Sequence, residues 1–349
     1  MSVAMAVVAA ACGSSKSAAS SGGGSAHGPF AGKTIHLISS GSAGSNHDLA
    51  ARAIAPFIAR YLHATVDVVD MPGGGQLKAW TYLADASPNG LTIGTSDVQG
   101  MLANYWEKVP GQKFNVAKLT YLGGMAGGAG GGSKVMFAVN AKTGPLSSIY
   151  SLLKDKTVKV RAVGSVGDVT VPLWSKVYHL PLTDLTDYPD ASAELQALLR
   201  GDGQISSKTW GGSWSSFVTS GKGKVLFANT MHATWAVDPS VPTVPSILAK
   251  VPPPTAEGKA AIIANSEAED GGLAFIGPPG MSASLASALR AAVKWAMAQP
   301  GFVSQATKSN LSTLYDSPAQ EMAAVQLGMK PATVATIRKY VPLSTGVAS

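Results

Sequence analysis

A run of small polar residues, Ser42-Ala43-Gly44-Ser45-Asn46-His47-Asp48, separates an apolar, strand-like segment from a helix-like one. The first N–H groups of a helix lack intrahelical partners and lie at the positive end of its dipole. They therefore attract carboxylate or phosphate. Small side chains let a ligand approach that backbone. Ser45 and Asp48 also have the spacing of a variant capping box, so Asp48 can serve the helix start, a ligand, or both. A similar run, Gly164-Ser165-Val166-Gly167-Asp168-Val169-Thr170, follows a second strand-like segment and precedes another helix-like one.

Competing chemistries fare worse. Ser45, His47 and Asp48 are too close in the chain for a nucleophile–base–acid triad, which is assembled from distant positions. No Gly-x-Ser-x-Gly elbow occurs. Gly132-Ser133-Lys134 ends a glycine-rich run but inverts the Lys-Ser or Lys-Thr order of a phosphate loop, and a strand-like segment follows it. The six histidines lack metal-ligand spacing, and a single cysteine excludes a thiolate cluster. Hence neither a metal nor a cofactor is expected, and no base–nucleophile pair suggests an enzyme. Trp80, close to Pro72-Gly73-Gly74-Gly75, and Trp210 and Trp214, in a Ser/Gly-rich stretch, could line a pocket or simply pack in a core.

Strand, helix, strand, helix, strand over residues 34–94 predicts a parallel sheet with helices outside it. Residues 158–200 repeat the pattern. Two such halves predict two lobes with a cleft between them, and ligands of open parallel sheets sit where loops leave the carboxyl ends of the strands. Beyond these halves the chain reads as mainly helical: Leu285, Leu289, Ala292, Val293 and Ala296 recur at helical spacing.

With 349 residues, 46% of them hydrophobic and 13% charged, the chain can bury a large core and has room for two domains. Its net charge of +7 suits small anions. The basic residues are scattered, so no nucleic-acid footprint is expected. No apolar run approaches the roughly 20 residues of a membrane-spanning helix. Residues 3–11 are small and apolar and lead into Ala11-Cys12-Gly13, as at the end of a bacterial lipoprotein signal peptide. The expectation is a signal peptide over residues 1–12, lipid on Cys12, and a flexible Ser/Gly-rich tether over 13–29.

Six motifs, in order, resemble the receptors of tripartite tricarboxylate transporters, the Bug-type proteins. Lys33, Ile35, Leu37, Ile38, Ala43, Gly44 and Asp48 match the family's first pattern without a gap. Pro72-Gly73-Gly74-Gly75 and Pro88-Asn89-Gly90-Leu91-Thr92 match the second. Gly164-Ser165-Val166-Gly167, Tyr188-Pro189-Asp190-Ala191, Pro239-Ser240-Val241-Pro242-Thr243 and Gly277-Pro278-Pro279-Gly280 follow.

The resemblance implies an α/β, two-lobed periplasmic-binding-protein fold of the type II, Venus-flytrap kind, with parallel-rich sheets and a helical C-terminal part. Lobe 1 would hold residues 30–134 and 236–349, and lobe 2 residues 135–235. A small carboxylate would be gripped largely by backbone amides. The positions implied are Ser42, Ala43, Gly44 and Ser45, with Asp48, in the first lobe, and Ser165, Gly167, Asp168, Val169, Thr170 and Tyr188 in the second. Gly74 and Trp210 complete the expected pocket. The protein would be an extracytoplasmic, membrane-anchored monomer passing its ligand to transporter subunits; a ligand sensor coupled to a signalling partner is the alternative. Three departures bear on the ligand, one of them an atypical glycine-rich insert over residues 123–132. Gly41 replaces the family's aromatic residue, and Asp168 puts a negative charge where a small residue is usual.

Overall fold

The structure is a computed structural model that describes residues 28–127, 134–141, 144–157, 159–165, 167–185 and 188–341. Cys12, the signal segment, nearly all of the tether, the glycine-rich run 128–133 and Val166 lie outside the described residues.

One sheet has six strands in the order β11-β4-β10-β3-β1-β2. Its parallel half is the unit read from the sequence. β1 (Thr34–Ser39) lies between β2 (Thr65–Asp70) and β3 (Thr92–Asp97), parallel to both. The linking helices are α1 (Asn46–Leu62) and α2 (Leu77–Asp85), and α3 (Val98–Glu107) follows β3 directly. β10 (Leu273–Gly277) then runs antiparallel between β3 and β4 (Thr120–Met125), and β11 (Tyr315–Asp316) closes the edge. A late segment thus inserts into the middle of an early sheet.

The second sheet has five strands, β7-β6-β8-β5-β9. Here β6 (Val160–Val163) is parallel to β7 (Leu182–Leu185) and β8 (Ile205–Thr209). β5 (Lys134–Val139) is antiparallel to β8 and to β9 (Gly223–Ala228). α4 (Ile149–Lys154), α5 (Thr170–Tyr178), α6 (Ala191–Arg200) and α7 (Gly212–Thr219) belong to this half. The strand expected at residues 185–188 lies a few residues earlier, as β7.

The remaining helices are α8 (Val244–Lys250), α9 (Ala256–Glu269), α10 (Ala283–Met297), α11 (Pro300–Lys308), α12 (Pro318–Gly328) and α13 (Pro331–Arg338). α10 buries Leu289, Ala292, Val293 and Ala296, four of the five positions read as its apolar face. Its alanines let it pack closely on the equally alanine-rich face of α1, over Ile35, Leu37 and Phe275 of the sheet. Each large aliphatic side chain buried there contributes about 1.5–3 kcal/mol. A second core joins α3 to α5 and α9, so it spans both halves. A third, aromatic core stacks Phe137 on Trp210 and sets it at a tilt against Trp214.

Where the chain passes between the sheets, the two crossing segments are tied together. The Asn229 N–H donates to the Lys134 carbonyl at 2.9 Å.

Candidate functional site

The loops at the carboxyl ends of six parallel strands meet in one cleft. Ser40, Gly41 and Ser42 follow β1, Gly73, Gly75 and Gln76 follow β2, and Asp97 ends β3. From the other sheet, Ser165, Gly167 and Asp168 follow β6, Asp190, Ala191 and Ser192 follow β7, and Thr209 ends β8. This is the place a ligand takes in open parallel sheets. Space for water-sized spheres in the cleft amounts to about 90 Å³, room for several waters or a small organic acid.

Five helices start at its walls: α1, α2, α3, α6 and α7. Two are already neutralised. Asp97 caps α3 through the Gly100 N–H at 3.2 Å, and Asp190 caps α6 through the Ser192 and Ala193 N–H groups, each at 2.9 Å. α1 is capped only by the neutral Ser45 hydroxyl, which accepts from the Asp48 N–H at 3.3 Å. α2 and α7 carry no side-chain cap. The first two N–H groups of α2 are taken by the Gly74 and Gly73 carbonyls at 3.1 and 3.4 Å, so an anion is best received at the starts of α1 and α7.

Among the expected site residues, Ser42, Ser45, Ser165, Gly167 and Asp168 line the cleft. The others stand back from its wall, each for a physical reason. Asp48 is buried behind the loop; its carboxylate accepts from the Gly44 N–H at 2.8 Å and pairs with Arg52. Ala43 and Gly44 face solvent. Gly74 turns at φ 57°, with its carbonyl accepting from the Leu77 N–H at 3.1 Å. Val169 is core, and the buried Thr170 hydroxyl accepts from Asn229 and Asn265, each at 3.4 Å. Tyr188 packs on the aromatic core. Trp210 stacks on Phe137, and it is Trp214 that reaches the cleft.

The expected grip by backbone amides also needs correction. Four of those donors are engaged within the protein. The Gly44 N–H serves Asp48, and the Ser45 N–H serves the Ser42 carbonyl at 3.0 Å. The Gly167 N–H donates to Glu107 at 3.2 Å, and the Asp168 N–H to the Ser165 carbonyl at 3.1 Å. The serine hydroxyls, the first turn of α1 and the Trp214 indole remain to face a ligand. Among the described residues, the Trp214 Nε1 and the His47 Nδ1 are buried without a partner.

Two lysines stand in the cleft wall: Lys208, which the sequence did not single out, and Lys134, which it offered only as the end of a phosphate-loop look-alike. Lys208 lies 3.3 Å from Asp168 and 2.8 Å from Glu194. Burial alone would lower its pKa, but Glu194 and Asp168 outweigh burial and hold the ammonium above its ordinary value. Lys134 sits 2.6 Å from Gln99 and 3.4 Å from Glu269. Burial again disfavours its charge, but Glu269, Asp97 and Asp168 outweigh this and raise its pKa. Burial pushes Glu269 up to about 8, against the pull of Lys134, and also raises Glu194, against Lys208. His47 is held neutral, its pKa lowered to about 4 by burial despite Asp97. Of these, Lys208 was legible in principle: β8 carries a lone cation amid Ser and Thr.

Bonds also cross the cleft. The Ser42 and Ser192 hydroxyls are 3.1 Å apart. The Asn46 side-chain amide donates to the Thr209 and Trp210 carbonyls at 3.3 and 3.2 Å. The Gly212 N–H donates to the Ser309 carbonyl at 3.2 Å, and the Asn310 amide to the Ser215 hydroxyl at 3.1 Å. Among the described residues, no group of three or more His, Cys, Asp or Glu side chains is placed to hold a metal ion, and no helix is long and apolar enough to cross a membrane.

No protein-family model and no curated protein matches the chain. Solved structures do. MatC from Rhodopseudomonas palustris, with bound malate, is 18% identical at a TM-score of 0.67, covering 87% of this chain and 99% of that one. An R. palustris protein with adipate, 16% identical at a TM-score of 0.67, covers 89% of this chain and 99% of its own. The periplasmic binding protein BugD is 16% identical at a TM-score of 0.65, covering 88% and 97%. The α/β, two-sheet architecture is thus the periplasmic-binding-protein fold of the Bug- and TctC-type receptors.

Proposed function

We propose that this chain is an extracytoplasmic solute-binding receptor that captures a small organic carboxylate and passes it to a membrane transporter of the tripartite tricarboxylate type. One observation carries this reading. Two helix starts without an acidic cap, those of α1 and α7, converge with Ser42, Ser45 and Trp214 on a cleft between two sheets. A carboxylate is the small-molecule group that best complements such a set. Structures of the same fold hold malate and adipate, which supports the class of ligand.

The lobes would be residues 30–134 with 236–349, and 135–235, turning about the paired crossing segments. Binding shifts the balance between open and closed forms, and closure would present a surface to the transporter. Lipid on Cys12 would tether the receptor at the membrane, where it would act as a monomer.

Thermal shift against succinate, malate, adipate, citrate and their amino-bearing analogues tests the reading. A ligand that binds only the folded state raises the melting temperature. At least one of these acids should do so in a saturable way. A flat response to all of them, with nucleosides or sugars active instead, would end the carboxylate assignment.

A further inference from the structure

The cleft described for a carboxylate also carries an excess of acid. Asp97 and Asp190 spend their negative charge on the starts of α3 and α6. Asp168 does not. Its side chain is 4% exposed, and Oδ2 lies 3.3 Å from Lys208. Among the described residues Oδ1 has no partner, and it is buried on a residue that lines the cleft. Nor is Lys208 free to answer an incoming anion, since Glu194 holds it from the other side at 2.8 Å. Lys134 is likewise held, by Gln99 and Glu269.

Leaving a buried carboxylate oxygen unpaired costs about 1–3 kcal/mol or more. A second carboxylate brought against it would add repulsion. The need is for a donor, and a cationic donor meets both the hydrogen bond and the charge. No group of acidic side chains or histidines there, among the described residues, is placed to hold a metal, and a ligand's ammonium would answer both the charge and the hydrogen bond where water answers only the bond.

Resting on the carboxylate reading above, we propose that the ligand is zwitterionic, an amino-bearing organic acid whose ammonium group donates to Asp168 Oδ1 while its carboxylate faces the starts of α1 and α7. Asp168 is then the specificity determinant. It attracts the amino acid and repels the acid of the same skeleton that lacks the amino group. The Trp214 indole N–H and the Ser42 hydroxyl serve the carboxylate end.

Matched pairs test this by calorimetric titration of the full chain: L-aspartate against succinate, L-glutamate against glutarate, and 2-aminoadipate against adipate. In at least one pair the amino member should bind at least about tenfold tighter, the scale of one charge-assisted hydrogen bond. Asp168→Asn, checked for folding by circular dichroism, should erase that preference by weakening the amino member and strengthening the plain acid. If the plain acids bind as well as or better than their amino partners to the unaltered protein, the proposal is overturned while the carboxylate reading stands. That comparison needs no variant. Equal weakening of both members by Asp168→Asn would also overturn it, because Asp168 would then act only through Lys208. If neither series binds, both readings fall together.

Discussion

Replacing Asn46 with alanine separates closure of the cleft from folding. If the lobes hinge as proposed above, the structure is the closed form, in which the Asn46 side-chain amide reaches two carbonyls of the opposite half, those of Thr209 and Trp210 at 3.3 and 3.2 Å. Both bonds are long and neutral. Bonds of this kind lie at the weak end, about 0.5–1 kcal/mol each, and favour closure by roughly 1–2 kcal/mol together. Opening lets water take over both carbonyls, so the variant pays no lasting penalty in the open form. Asn46 is also the first residue of α1, where alanine is no worse a helix former. Fold stability should therefore hold while the balance moves toward open by a factor of about 5–30. Apparent affinity for any acid that selects the closed form should weaken by up to the same factor. Small-angle scattering of the ligand-free protein reads the first effect as a larger radius of gyration, and calorimetry reads the second. An unchanged radius and affinity, with a lowered melting temperature, would show that Asn46 supports the fold rather than the closed cleft.

The Glu107 carboxyl is pushed up to about 7 by burial, with the Gly167 N–H opposing the rise, Asp168 adding to it and Lys134 opposing it. Its unfolded counterpart ionises near 4.5. Between these values the folded state holds a proton that the unfolded state has lost. Stability is therefore fully present below about pH 4.5 and falls as pH rises through about 7. Glu107→Gln, which keeps an acceptor for Gly167, should flatten that part of the urea-midpoint profile; an unchanged slope would show that other groups set it. Gly167→Ala should cost roughly 2–4 kcal/mol in urea unfolding, from left-handed strain and overpacking. The residue sits at φ 83°, and a Cβ there would lie 2.3 Å from the Asn104 side-chain oxygen. A loss under about 1 kcal/mol would mean that the loop adjusts freely.

Local pattern carried the parallel units well. Period-two burial in β1 and the Ser45 cap followed by the apolar face of α1 lie within a few residues of each other, and those are the distances over which sequence periodicity speaks. β10 was beyond its reach, because nothing within Leu273–Gly277 tells that it inserts antiparallel between β3 and β4. The same limit governed the cleft. Small residues after β1 and β6 marked where it lies, but not which amides remain free. The Gly44 N–H is taken by an acid four residues on, which the capping pattern hinted at. The Gly167 N–H is taken by Glu107, sixty residues away, and that partner follows only from packing α3 against the start of α5. Asp168 stood out in the sequence as a departure, yet its meaning depends on Lys208 and Glu194, which three-dimensional proximity alone supplies. Trp210 and Trp214 were indistinguishable by composition; one turn of backbone decides which indole faces the cleft.

The bonds that span the mouth of the cleft join hydroxyls, amides and carbonyls. Ion pairs at such a rim would fade as dissolved electrolyte screens them over about 8–10 Å. Neutral dipoles in direct contact are hardly screened at all. Contacts of this kind keep their hold across fresh and saline surroundings alike.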